Sequence, residues 1–140
     1  MVKAVDIDAV RNYVCKEDRA LPEEEQTVFK IGVLNSLTMA EISKMDVEFD
    51  PGSKEQKVRA NIAGRDLDYV RYGLKGWENF KNAQGDEIKA IFNTISKGGR
   101  SAQVLHDNCL EQIPPRIIRE LSLVILKENN LSEDEEKNSE

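Results

Sequence analysis

The chain has almost no histidine, little cysteine and a single tryptophan: one His, two Cys and one Trp in 140 residues. The lone His106 lies in no pattern of nucleophile or carboxylate that would make it a catalytic base. Cys109 follows three positions later and could share a helix face with it. A closed zinc site takes about four nitrogen or sulfur ligands, and only Cys15 remains to contribute. His106 and Cys109 therefore read as a helix-surface histidine beside a core thiol. Two cysteines so far apart build no disulfide framework, and both read as buried or half-buried free thiols.

Long apolar runs are also missing. None approaches the roughly 18 residues needed to span a bilayer. The opening residues, Met1 to Asp6, carry one Lys and then acids, with no secretory h-region. A cytoplasmic protein without a membrane partner is expected. Glycine-rich Lys97-Gly98-Gly99-Arg100-Ser101 lacks the spacing of a phosphate loop and reads as a connector. Neither Asp50–Glu55 nor Ser132–Glu136 spaces its acids as a calcium loop does. No catalytic group, metal or cofactor is expected, and the chain is read as a binding or assembly protein rather than an enzyme.

What is abundant is charge, unevenly laid out. Residues 1–50 hold 6 Lys+Arg against 11 Asp+Glu, net −5. Residues 51–100 hold 10 against 6, net +4, and residues 101–140 hold 4 against 9, net −5. A basic middle between acidic ends suits contacts between copies or within one copy, and argues against general nucleic-acid affinity.

Length and pattern imply one α+β domain over residues 1–130, with an acidic flexible tail at 131–140. Its C-terminal half is mainly helical, and a few short antiparallel strands, between Thr27 and Ile91, occupy the N-terminal and central parts. Val5, Ala9, Val10, Tyr13 and Val14 space a short helix over 5–16. Thr27 to Leu34 has strand composition, and Ser36 or Thr38 can cap a helix through Met39, Ile42 and Met45. Val47 and Phe49 read as a strand, Asp50-Pro51-Gly52-Ser53 as a turn, and Val58, Ala60 and Ile62 as a strand with one wet face. Asp66 can cap a helix whose stripe is Leu67, Val70, Leu74 and Trp77. A tight excursion follows around Asn82–Gly85. Ser101 can cap a helix carrying Ala102, Leu105, Cys109 and Ile113. After Pro114-Pro115 a second helix presents Ile117, Ile118, Leu121, Val124 and Ile125 on one face, and Asn129-Asn130 can stop it.

Three groups of residues are candidates for function. Trp77 and Leu74 are expected to anchor the core. Leu123 and Leu126 fall on the flank of the last helix, beyond what one buried stripe requires, and mark a candidate partner surface. Arg71 and Lys75 belong to a basic segment, 54–81, interleaved with Tyr69, Tyr72, Trp77 and Phe80; they are candidate partner contacts. That segment is also the basis of an alternative, a small nucleic-acid-binding regulator, since aromatics among cations can stack on bases. Asp66, Asp68 and Glu78 dilute its charge.

Val70-Arg71-Tyr72-Gly73-Leu74-Lys75-Gly76-Trp77-Glu78-Asn79-Phe80, followed by Gly85-Asp86-Glu87-Ile88, resembles an element of small tailed-bacteriophage proteins. The ending is similar to theirs as well: Ile118-Arg119-Glu120-Leu121, then Asn130-Leu131-Ser132 and an acidic tail with Lys137-Asn138. The resemblance runs from Val70 to Asn138. It implies a virion assembly or structural protein, either a tail assembly chaperone or a head–tail or tail component. Its implied partners are other phage structural proteins, with a homo-oligomer admitted. The implied location is the host cytoplasm during assembly, with the virion itself as the second place.

Overall fold

The computed structural model describes residues 1–45, 47–48, 57–58, 62–97 and 100–138. Fold class is α+β, with antiparallel strands in the first and central parts and a long helix at the end. The chain runs β1 (Val10–Tyr13), β2 (Val28–Gly32), α1 (Ser36–Met45), β3 (Val47–Glu48) and β4 (Lys57–Val58), then α2 (Ile62–Gly73) and β5 (Leu74–Glu78). A hairpin of β6 (Phe92–Lys97) and β7 (Arg100–Leu105) follows, then α3 (Asp107–Leu110) and α4 (Pro115–Asn138). No helix among the described residues is long and apolar enough to cross a membrane.

The main sheet has the order β1-β2-β5, with both pairings antiparallel. β2 is central because its sequence suits burial: Phe29 and Ile31 face the core while Val28 and Lys30 alternate outward. Helices α2 and α4 pack on each other, and their apolar stripes close the core over the sheet. Val70 on α2 and Leu121 and Ile125 on α4 have no solvent exposure. The helices meet closely at Gly73. A Cβ there would come within 2.8 Å of the Ile125 side chain, so a larger residue would push α4 away.

Several sequence expectations are corrected. Residues 5–16 form no helix. A turn occupies Ile7–Asp8 and the strand β1 follows, because Val10–Tyr13 gains a full ladder with Gly32–Phe29 of β2. The helix expected from Ser101 is a strand as far as Leu105, paired with β6; helix resumes only at Asp107. Strands therefore extend beyond Ile91. Asp66 is no cap, since α2 begins four residues earlier at Ile62, and Ile62 belongs to that helix instead of a strand. Leu74 and Trp77 lie on β5 instead of on the helical stripe, and Leu67 is exposed.

Asp66 is instead an internal tie. Its carboxylate is buried and accepts hydrogen bonds from Arg119 Nη1 at 3.0 Å and from the fully buried Ser122 hydroxyl at 2.7 Å. This joins α2 to α4 by a polar contact placed among apolar neighbours.

Smaller details follow from local chemistry. Asn35, and neither Ser36 nor Thr38, caps α1, its Oδ1 accepting from the Thr38 amide at 2.9 Å. The excursion after β5 turns on Asn82, whose Oδ1 accepts from the amides of Gln84 and Asp86, with Gly85 at φ 86°. The turn expected at Asp50–Ser53 and the strand residue Ala60 lie outside the described residues, as do Gly98 and Gly99 between β6 and β7.

Helix α4 does not stop at Asn129-Asn130 but continues to Asn138. Its last residues are strongly acidic, with four acids and one lysine from Leu131 to Asn138. We expect a chain ended after Asn130 to keep its thermal midpoint nearly unchanged, because those residues bring one apolar side chain to bury. A fall of many degrees on differential scanning calorimetry would show that they dock on the body.

Candidate functional site

Core packing uses only part of α4. Ile117, Ile118, Leu121 and Ile125 face inward. A second stripe, Glu120, Leu123, Val124, Lys127 and Glu128, recurs at the spacing of one helix face and lies across from β1. Between them is a cleft of about 580 Å³. Ile31 and Val124 provide its apolar floor, and Leu123, 49% exposed, stands at its lip. The remaining lining includes Arg11, Lys16, Arg19 and Lys127 against Glu120 and Glu128, leaving the cleft cationic.

Polar contacts fix the two walls. Tyr13 donates its hydroxyl hydrogen to Glu120 Oε2 at 2.6 Å, and the Lys16 amide donates to the same oxygen at 3.0 Å. Arg11 pairs with Glu128. Just beyond, Arg116 forks onto Glu17 at 2.9 and 3.1 Å. The Arg19 guanidinium lies 5.6 Å from the centre of the Tyr13 ring. Tyr13 is thereby held between an acid and a cation.

β1 pairs with β2 on one side only. Its outer edge carries no backbone hydrogen bond to another strand among the described residues. A free strand edge beside a helix, with an apolar floor between, has the geometry that accepts an extended peptide as an added strand.

Ionisation inside this wall is suppressed. Burial, reinforced by the Glu120 hydrogen bond and charge, pushes Tyr13 up to about 12, with Arg19 partly opposing. Burial, with Glu120, Asp18 and Glu17 nearby, pushes the Cys15 thiol up to about 12 as well. Both groups ionise more readily in the unfolded chain, near 10.0 and 9.0. The stability they lend is therefore complete below about pH 9 and is lost as pH rises towards 12. Urea midpoints measured from pH 8 to 11 should fall steadily above pH 9, and Tyr13→Phe should flatten part of that fall. A native Cys15 should also resist iodoacetamide at pH 8 under conditions that fully modify the urea-unfolded chain.

The residues singled out in the sequence are dispersed by the fold. Leu123 is at the cleft; Leu126 is half-buried and packs against the core. Arg71 sits away from the cleft, its guanidinium 3.7 Å from Asp68 and 3.3 Å from Asp107 at the start of α3. Lys75 donates from Nζ to the Tyr72 carbonyl at 3.0 Å, its stem lying over Gly32, and burial lowers its ammonium pKa. Leu74 is buried in the core. Trp77 is half-buried, with Nε1 donating to the Ile88 carbonyl at 2.6 Å and its ring edge-on to Phe80 at 5.2 Å. Tyr69 is buried, and the Trp77 and Phe80 rings pack at an angle against Phe29, so these aromatics of the basic segment are engaged in packing.

His106 caps α3, its Nδ1 accepting from the Asn108 amide at 3.0 Å. Cys109 is buried, its Sγ within 3.4 Å of the Lys89 carbonyl and of the Ile91 amide. No group of three or more His, Cys, Asp or Glu placed to hold a metal occurs among the described residues.

The cleft residues Arg11, Tyr13, Glu120 and Glu128 were not anticipated. The local signal was the surplus of leucines on the flank of α4, of which Leu123 lines the cleft. No family model, curated protein or solved structure matches this chain.

Proposed function

We propose that the protein acts by protein–protein contact rather than by catalysis, through the cleft between β1 and α4. One observation carries this reading: a free strand edge lies beside an apolar floor with an exposed leucine at its lip. Extended segments of partner proteins bind such places with main-chain hydrogen bonds, and alternate side chains set their specificity. The resemblance of Val70–Asn138 to small tailed-phage proteins supplies the setting. There the partners are other virion proteins, and the chain is an assembly chaperone or a head–tail or tail component.

Leu123→Glu tests the reading. Leu123 is exposed on a helix, so the variant should keep its circular dichroism and melting behaviour while losing assembly of particles or of its own oligomers. A folded variant with assembly intact would place the working surface elsewhere. Leu126→Glu is the contrasting case, since it puts a charge against the core and should lower stability. A salt titration of DNA binding tests the nucleic-acid alternative, because phosphate contacts give a steep salt slope.

A further inference from the structure

We propose that the β1–α4 cleft receives residues 5–9 of a second copy of this chain. The inference rests on the contact surface proposed above and names its occupant. Every residue from Met1 to Val10 is exposed, and Val2, Val5, Ile7 and Val10 are among the most exposed large apolar side chains. Such a segment gains by burial only if something covers it.

Its pattern suits the cleft. Val5-Asp6-Ile7-Asp8-Ala9 alternates apolar and acidic residues with period two. As a strand it presents Val5, Ile7 and Ala9 on one face and two carboxylates on the other. The apolar face matches Val124 and Leu123 on α4. The carboxylates match a rim on which Arg11, Lys16, Arg19 and Lys127 outnumber Glu120 and Glu128. Added to the outer edge of β1, the segment would pair the backbone groups that this strand leaves open. Because each copy carries both arm and cleft, two copies can exchange arms about a two-fold axis. Within one copy these residues make a turn instead, the Ala9 amide bonding to the Asp6 carbonyl at 3.2 Å and the Asp8 amide to Asp6 Oδ1 at 3.1 Å, and this turn opens when the segment extends along the partner copy.

Two full-length variants test the exchange by sedimentation equilibrium. Val5→Asp with Ile7→Asp disables the arm and touches only exposed residues; Leu123→Glu disables the cleft. Wild type should dimerise, and each variant should weaken dimerisation on the order of a hundredfold. Mixing the two variants leaves one intact arm facing one intact cleft, and should restore association between them that neither shows alone. That complementation is the signature of the exchange. A monomeric wild type overturns the proposal, including one whose arm resists proteolysis by docking on its own cleft. If Leu123→Glu abolishes the dimer while the arm variant keeps it, another segment fills the cleft and only the occupant is wrong. If neither variant changes the association, the cleft itself is not the contact surface.

Discussion

Leu121→Ala should cost about 3–5 kcal/mol, the upper part of the range for truncating a buried leucine. Leu121 has no solvent exposure and sits where α4 packs against α2. The loss combines the transfer free energy of the removed carbons with the cavity they leave. That cavity closes only if neighbouring elements move. Here the close approach of Gly73 to Ile125 and the Asp66 tie to Arg119 and Ser122 fix the two helices against each other. Small domains are stable by roughly 5–15 kcal/mol in total, so this one change removes a large fraction. Urea denaturation with an unchanged m-value would measure it. A cost under about 1 kcal/mol would mean that the helices slide to fill the space, and that Gly73 is not a fixed point.

Trp77→Ala should be comparably damaging, at about 3–5 kcal/mol, although the ring is only half-buried. Two losses add. The indole leaves an aromatic cluster with Phe29 and Phe80, whose rings lie at 6.5 and 5.2 Å. Its Nε1 hydrogen bond to the Ile88 carbonyl also disappears, and this bond tethers the excursion after β5 to the sheet. Trp77→Phe separates the two. It keeps most of the ring contact and should cost only about 1–2 kcal/mol, mainly for the unpaired carbonyl. A stable Trp77→Ala protein that merely lost a partner would make Trp77 a binding residue instead of an anchor.

β2, α1 and α4 were legible from the sequence because their local pattern and their tertiary environment agree. Phe29 and Ile31 alternate onto one face, and Pro114-Pro115 marks the entry to α4. Where the two disagree, sequence misleads. Val5 to Val14 spaces apolar residues compatibly with a helix, yet pairing with β2 decides in favour of a strand. Ala102, Leu105 and Cys109 keep helical spacing by coincidence, since the chain changes from strand to helix at His106. Asp66 has the composition of a cap but was needed inside, as the acceptor for Ser122. The far wall of the cleft could not be read, because it joins residues 11–19 to residues 120–128. Only the surplus leucines of α4 hinted at a surface there, and of these Leu123 alone lines it while Leu126 packs inward.

The clasp of β1 onto α4 also constrains the order in which the chain can be completed during synthesis. Arg11, Tyr13, Lys16 and Glu17 are made early, and their partners Glu128, Glu120 and Arg116 roughly a hundred residues later. A ribosome adding about 5–20 residues per second reaches α4 many seconds after β1 could pair with β2. Throughout that interval the edge strand has no wall opposite it, and β2 and β5 lack the part of their cover that α4 provides. The nascent chain therefore carries an open, aggregation-prone sheet until its last helix emerges.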